Sequence, residues 1–279
     1  MTIRQTIQSI RVGIEPLYGL REAESIARMV VCEKLAYNLS QMVAHYDDEC
    51  AIADLDAIVE ALRSGRPVQY VLGEAEFCEL KFKVREGVLI PRPETEELVY
   101  NIVQNAPAKS RILDVGTGSG AIAISLAHHL KDAKVVAVDI SREALAIAKE
   151  NAERLGVEVE FIEADALGDL TSLGEFDIIV SNPPYIPQSD ISQMRVNVVD
   201  YEPHRALFVP DDDALCFYRS IAENGQKMLR DGGTIWFEIY EAYGAEVCEE
   251  LRKCGFSKCE VLQDANQKSR MVWATIFHE

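Results

Sequence analysis

The chain has 279 residues, of which 48% are hydrophobic and 27% are charged, with 16 Gly and 10 Pro. This composition is ordinary for a soluble globular protein of one large or two modest domains, and it excludes disordered and fibrous classes. With 28 Lys and Arg against 46 Asp and Glu the net charge is −18, so the mean surface field repels phosphate backbones and anionic lipid.

The N-terminus alternates apolar with polar side chains, and no apolar run is long enough to cross a bilayer. We therefore expect neither a signal peptide nor a membrane span. The cysteines are odd in number and spread out, without a C-x-x-C pair or histidines at ligand spacing. This pattern predicts reduced thiols in the cytoplasm and no metal site. The cysteines are Cys32, Cys50, Cys78, Cys216, Cys248, Cys254 and Cys259.

The first quarter of the chain has helical periodicity. Ile58 and Leu62 fall on one helical face, and Gly65 follows as a C-terminal stop. No strand-like alternation of useful length appears before Phe77. We therefore predict a small helical bundle over residues 1–74.

A different pattern begins at residue 77 and continues to residue 90. Apolar and polar side chains alternate, and Arg85, Glu86 and Gly87 form a turn signal before a second short apolar stretch. This predicts a β-hairpin connector at the start of a second domain that spans residues 75–279.

After residue 93 short apolar strands alternate with amphipathic helices. We predict strands at 111–115, 134–138, 158–162, 176–180, 234–239, 259–262 and 271–277, and helices at 121–130, 142–155, 214–229 and 243–254. This α/β rhythm is typical of a mostly parallel sheet with helices on both faces, which binds ligands at the carboxyl ends of its strands.

A glycine-rich loop joins the first of these strands to its helix. The loop consists of Gly116, Thr117, Gly118, Ser119 and Gly120. Glycines permit the tight turn and let a ligand approach the backbone, while amide donors at the helix start favour anionic groups. Asp139 ends the next strand, where it is placed to accept hydrogen bonds from ribose hydroxyls. The pattern predicts a cofactor that contains an adenosyl group, and it does not distinguish among such cofactors. Asp165, after the third strand, is either a turn aspartate or an adenine contact.

The fourth strand is followed by Asn182, Pro183, Pro184 and Tyr185. Two prolines remove two backbone donors and stiffen the chain, so the Asn182 side-chain oxygen and the Pro183 carbonyl can act as fixed acceptors. A planar amide or aromatic amine offers the matching NH₂ group, and Tyr185 offers a flat surface for stacking. The alternative is a rigid Pro-Pro turn capped by Asn182.

Together the glycine loop and this four-residue clamp resemble those of S-adenosylmethionine-dependent methyltransferases that act on planar nitrogen. Three further segments narrow the resemblance to the PrmC/HemK family of release-factor glutamine methyltransferases, and they lie at residues 65–73, 89–96 and 201–207. The resemblance covers nearly the whole chain. It implies a Rossmann-like class I methyltransferase sheet, preceded by the helical bundle, which would recognise the substrate.

The reaction implied by the resemblance is transfer of a methyl group from S-adenosylmethionine to the side-chain amide nitrogen, N5, of a glutamine. That glutamine lies in the Gly-Gly-Gln motif of class I peptide-chain release factors, in the cytoplasm, and neither nucleic acid nor membrane takes part directly. The resemblance also implies roles for the residues at matching positions of this sequence. The residues that would bind the cofactor are Gly116, Thr117, Gly118, Ser119, Gly120, Asp139, Asp165 and Asn182. The set that holds the substrate amide is Asn182, Pro183, Pro184 and Tyr185.

The sequence departs from the family pattern in three places. Many members carry an aromatic residue after Asp165, where Ala166 stands here, so adenine stacking is not expected at that position. The Glu-x-Gly pattern begins at Glu238 but has Tyr240 in place of the glycine, and the late Gly-x-Asp-Arg stretch reads Gln-Lys-Ser-Arg at 267–270. Both main motifs remain intact.

Three alternatives account for some of the same residues. An adenine-N6 nucleic-acid methyltransferase would use the clamp on a flipped base, but the acidic charge and the lack of a basic track argue against it. A non-catalytic cofactor-binding module is disfavoured by the intact clamp. A nicotinamide dehydrogenase matches only the formal spacing of Gly116, Gly118 and Ala121.

Overall fold

The computed structural model describes residues 1–278, which form two units built from separate parts of the chain. The first unit consists of Met1–Glu74 and Arg195–Tyr201, and the second of Ala75–Met194 and the chain from Glu202 onward. Among the described residues, every helix is too short or too polar to cross a membrane.

The helices, in chain order, are α1 (Ile3–Leu35), α2 (Leu39–Ala44), α3 (Leu55–Arg63), α4 (Val68–Leu72), α5 (Pro93–Asn105), α6 (Ala121–His129), α7 (Arg142–Leu155), α8 (Val196–Tyr201), α9 (Cys216–Met228) and α10 (Gly244–Lys253). The strands are β1 (Glu74–Phe77), β2 (Leu80–Lys83), β3 (Arg111–Val115), β4 (Lys134–Asp139), β5 (Glu160–Glu163), β6 (Phe176–Ser181), β7 (Ile186–Pro187), β8 (Phe208–Val209), β9 (Leu229–Glu238), β10 (Phe256–Gln263) and β11 (Ser269–Ile276).

The first unit is helical, as the sequence predicted. α1 begins at a capping box in which Thr2 and Gln5 each accept a hydrogen bond from the other's backbone N–H. α1 then bends at Gly19, whose φ is 73°. The core of the unit contains fully buried apolar side chains from α1, α2 and α3: Ile10, Ile14, Val30, Met42 and Leu62. The unit also contains α8, which lies inside the range 75–279 predicted for the second domain.

The predicted β-hairpin is present, but its turn lies elsewhere. β1 and β2 pair with each other across Cys78 and Glu79, which both have positive φ, as in a tight two-residue hairpin turn. This turn lets Phe77 and Phe82 bury their rings 6.1 Å apart. The turn predicted at 85–87 is also present, but it follows β2 and does not join the paired strands.

The second unit is built on a seven-stranded sheet with the order β10-β11-β9-β6-β3-β4-β5. Strands β9, β6, β3, β4 and β5 are mutually parallel, whereas β11 runs antiparallel to both of its neighbours. The sheet is therefore mostly parallel, as predicted. The chain leaves β3 toward β4 on one side and returns to β6 on the other, which creates a crevice at the carboxyl ends of these strands.

Some element boundaries differ from the predicted ones. β9 begins at Leu229 rather than at residue 234, because two glycines interrupt the apolar pattern there. α5 was not predicted. Pro93 is the first residue of this helix, where a missing N–H costs nothing.

One disulfide corrects the expectation that all seven thiols are reduced. Cys248 on α10 is bonded to Cys259 on β10, with 5.6 Å between their Cα atoms. The bond forms because α10 packs against β10, and spacing along the chain does not reveal that packing. The remaining thiols are free, and they belong to Cys32, Cys50, Cys78, Cys216 and Cys254.

Candidate active site

A cavity of about 510 Å³ opens at the carboxyl ends of β3, β4 and β6. It brings together most of the residues that the sequence singled out: Gly116, Gly118, Asp139, Asp165, Asn182, Pro183 and Pro184. Thr117, Ser119 and Gly120 are buried behind this wall. Within residues 1–278 there is no group of three or more His, Cys, Asp or Glu side chains arranged for a metal ion.

The glycines of the loop have two different roles. A Cβ added at Gly116 or Gly118 would point into open space at the cavity, where a bound group can approach the backbone. A Cβ added at Gly120 would instead lie 2.7 Å from Cδ1 of Ile124 and 3.1 Å from Cβ of Ala148. Gly120 therefore allows close packing of α6 against α7, and its neighbours in the loop allow ligand approach.

Asp139 fixes the loop as well as facing the cavity. Its Oδ2 accepts a hydrogen bond from the Gly118 N–H at 2.9 Å, and its Oδ1 accepts one from the Ser141 N–H at 2.8 Å. Each carboxylate oxygen has a further lone pair. The carboxylate can therefore hold the loop and still accept hydrogen bonds from hydroxyl groups of a ligand.

Asp114, at the end of β3, is completely buried beneath the loop. Its Oδ2 accepts hydrogen bonds from the Thr117 hydroxyl at 2.7 Å and from the Ala123 N–H at 3.2 Å, whereas its Oδ1 lacks a partner among the described residues. Burial raises the pKa of Asp114 to about 7, and the nearby negative charge of Asp139 contributes. No role was predicted for this residue.

Asn151 connects the glycine loop to the hairpin. Its Nδ2 donates to the carbonyl oxygens of Ser119 at 2.9 Å and Lys83 at 3.0 Å, and its Oδ1 accepts from the Lys83 N–H at 2.7 Å. The side chain is fully buried. Asn151 was not predicted as a site residue, although its polar side chain on the apolar face of α7 is a signal that the sequence contains.

The clamp after β6 belongs to a hydrogen-bond network. Asn182 Nδ2 donates to Thr95 Oγ1 at 3.3 Å, and Thr95 Oγ1 donates to Glu238 Oε2 at 2.6 Å. The Tyr185 hydroxyl donates to Glu238 Oε1 at 3.0 Å. Burial raises the pKa of both Glu238 and the Tyr185 hydroxyl. Neither Thr95 nor Glu238 was predicted as a site residue.

Tyr185 differs from the other three clamp residues. Asn182, Pro183 and Pro184 line the cavity, whereas Tyr185 is partly buried against the core of the second unit. Its ring centroid lies 6.2 Å from that of Tyr240. Stacking of a planar substrate group on Tyr185 remains a prediction.

A buried carboxylate joins two of the motif segments noted in the sequence. Glu202 accepts hydrogen bonds from the Ile90 N–H at 3.1 Å and from Arg92 Nη2 at 2.6 Å. Leu89 and Pro203, which flank these residues, both line the cavity. The interaction therefore fixes two loops that form part of the cavity wall.

Asp165, which follows β5, is a turn residue that lies in the cavity wall, and its contact with adenine stays a prediction. Its Oδ1 accepts a hydrogen bond from the Leu167 N–H at 2.9 Å, so it forms a turn, and it also lines the cavity. Ala166 lies beside it, and the aromatic ring in this part of the wall comes from Phe217 on α9. Sequence reasoning missed Phe217, because α9 is distant in the chain.

Comparisons with known proteins bear on the family and the fold of this chain. Residues 93–200 match the methyltransferase small domain family. A release factor glutamine methyltransferase of Bacteroides thetaiotaomicron is 43% identical over 95% of this chain and 97% of its own length. A release factor glutamine methyltransferase of Geobacter sulfurreducens is 41% identical over 99% of this chain and 97% of its own length. The chain belongs to the release factor glutamine methyltransferase family.

A solved structure also supports the fold. A methyltransferase from Pyrococcus furiosus superimposes with a TM-score of 0.52 at 19% identity, over 71% of this chain and 89% of that one. The Rossmann-like methyltransferase fold and the family membership inferred from the motifs are thus confirmed. Membership in this family favours a methyltransferase over the dehydrogenase and the non-catalytic module.

Proposed function

We propose that this enzyme transfers a methyl group from S-adenosylmethionine to N5 of the glutamine in the Gly-Gly-Gln motif of class I release factors, in the cytoplasm. The observation that carries the proposal is the shared cavity. The glycine loop with Asp139 forms one part of its wall, and Asn182 with the two prolines forms another. Curated relatives that span almost the whole chain carry the corresponding name.

The cavity has the features that S-adenosylmethionine requires. Gly116 and Gly118 leave open space beside the backbone for the amino-acid part, and Asp139 offers acceptors for ribose hydroxyls. Ala166 and Phe217 supply apolar surface for the adenine ring. When bound, this cofactor supplies an electrophilic methyl group on a positively charged sulfur.

An amide nitrogen is a poor nucleophile because its lone pair is delocalised into the carbonyl group. Asn182 Oδ1 and the Pro183 carbonyl oxygen would accept hydrogen bonds from the two N–H bonds of the substrate amide, which favours charge building on nitrogen. The carbon–sulfur bond breaks as the nitrogen–carbon bond forms, and one amide proton passes to water. Holding the reacting atoms in line can lower the barrier by up to about 7–11 kcal/mol.

The direct test uses methyl-labelled S-adenosylmethionine, purified enzyme and a class I release factor, with the modified residue mapped by mass spectrometry. We expect one methyl group on the glutamine of the Gly-Gly-Gln motif, and no label on a release factor with Gly-Gly-Glu in its place. Label on another residue, or on added DNA or RNA instead of protein, would contradict the proposal.

Replacing Asp139 with alanine should weaken cofactor binding by about ten- to hundredfold. The change removes the charged acceptor for the ribose hydroxyls, and loss of one partner of a charged hydrogen bond costs roughly 1.5–3 kcal/mol. Titration calorimetry with S-adenosylmethionine measures the effect. Asp132→Ala, at an exposed position before β4, is the matched control and should bind like the wild type. Unchanged affinity in Asp139→Ala would place the ribose contact elsewhere.

We further propose that the first unit recognises the folded release factor. Leu17 and Leu20, on either side of the bend in α1, are each 54% exposed. Replacing both with serine should lower kcat/KM on the intact release factor by about 30-fold, since each exposed leucine that packs against a partner contributes about 1 kcal/mol.

Activity on a short Gly-Gly-Gln peptide is the internal comparison and should change by less than about twofold. Phe277→Ser alters an equally exposed apolar side chain of the second unit and should affect neither substrate. An equal loss on protein and peptide in the leucine variant would contradict a role in substrate recognition.

A further inference from the structure

Behind the cavity wall, three hydrogen bonds connect Tyr185 to Asn182 through one buried carboxylate. Glu238 is only 2% exposed and accepts from both Tyr185 and Thr95. Thr95, also buried, accepts from the Nδ2 group of Asn182. The donors and the acceptor come from α5, β9 and the loop after β6, three separate parts of the fold.

The direction of each hydrogen bond follows from the chemistry of the groups. When ionised, Glu238 only accepts, and each of its two oxygens meets one hydroxyl group, which has a single proton to donate. The Thr95–Glu238 distance of 2.6 Å is the length expected for a hydroxyl that donates to a carboxylate. The Thr95 proton is therefore committed to Glu238, and Thr95 Oγ1 can only accept from Asn182.

An asparagine side chain is an amide with a donor end and an acceptor end, and the two ends have nearly the same shape. Without a directional partner, a half turn about its last bond exchanges them. Because Nδ2 is held by Thr95, Oδ1 is the end of Asn182 that is left for the cavity. That end can accept a hydrogen bond from an amide N–H of the substrate, whereas the NH₂ end would repel it.

We propose that Thr95 and Glu238 are positioning residues that set the orientation of the Asn182 amide, so that its oxygen and not its nitrogen meets the substrate. This inference rests on the proposed function. Neither residue touches the reacting atoms, and both act through Asn182. Tyr185 donates to the second oxygen of Glu238 and keeps the carboxylate from rotating.

We call the hydrogen bonds from Glu238 through Thr95 to Asn182 the relay. Removal of the Thr95 hydroxyl tests this relay directly. Thr95→Val keeps the shape of the side chain but lets the Asn182 amide turn over, so we expect kcat on the release factor to fall by about 10- to 100-fold. Cofactor affinity should stay within about twofold of the wild type. Thr95→Ser restores the hydroxyl group and should recover most of the lost rate. The matched control is Thr171→Val, which removes an exposed threonine hydroxyl outside this network.

A double-mutant cycle separates positioning from general damage. If Thr95 acts only through Asn182, adding Thr95→Val to Asn182→Ala should lower kcat by less than about twofold more. Glu238→Gln, which places an amide where only an acceptor is allowed, should show the same lack of additivity. Equal losses from Thr95→Val in both backgrounds would overturn the proposal.

A spectroscopic measurement tests the relay whether or not the release factor is the substrate. In ¹⁵N-labelled enzyme, the side-chain amide signal of Asn182 is assigned by its disappearance in Asn182→Ala. We expect this signal to shift in Thr95→Val and to stay in place in Thr171→Val. An unmoved signal in Thr95→Val would refute the relay itself, while absence of release-factor methylation by the wild type would refute only the proposed function.

Discussion

Asn182→Ala is expected to lower kcat for glutamine methylation by about 10²–10³ while the protein remains folded and still binds S-adenosylmethionine. In the proposed mechanism the change removes the acceptor that orients the substrate amide and that interacts most strongly as charge develops on nitrogen. Loss of one such group typically costs about 2.7–4 kcal/mol of transition-state stabilisation. Single-turnover rates with saturating release factor and cofactor measure this step without a contribution from product release.

Asn105→Ala is a suitable control for that measurement. Asn105 is exposed at the end of α5, and its Nδ2 donates only within that helix, to the Asn101 carbonyl oxygen. This variant should turn over like the wild type. Turnover near the wild-type rate in Asn182→Ala would remove Asn182 from the clamp, and the substrate amide would then need another acceptor.

The stability of the protein should depend on pH through Asp114. Its pKa is about 7 in the folded state, against about 3.9 for an unfolded aspartate. Between these values the folded protein holds a proton that the unfolded chain has released, so the free energy of unfolding falls as pH rises. The contribution of this group is fully present below about pH 4 and lost by about pH 7, a change of about 4 kcal/mol.

Asp114→Asn removes this titration, so the comparison with the wild type isolates it from other carboxylates. Urea unfolding of both proteins at several pH values between about 4 and 8 gives the free energies. We expect the stability of the wild type relative to Asp114→Asn to fall up to about pH 7 and to be constant above it. A difference that stays flat over the whole range would mean that Asp114 is ionised in the folded protein.

The sequence by itself determined those features that depend on neighbouring residues. α7 has the predicted bounds because its signals are local: Ser141 caps its first turn, and Gly156 adopts the left-handed conformation after its end. β3 likewise agrees with its prediction. The glycine loop and the clamp were recognisable for the same reason, since each is a short contiguous segment whose residue types limit the chemistry.

Only the tertiary structure decided which distant side chains support the site. Thr95 and Glu238 are 143 positions apart, and Thr95 and Asn182 are 87 apart, so no local pattern relates them. The same holds for Phe217 in the cavity wall and for the disulfide partner of Cys248. These contacts form when helices pack on a sheet whose strands are far apart in sequence. Periodicity shows which face of an element is buried, but not which residue of another element it meets.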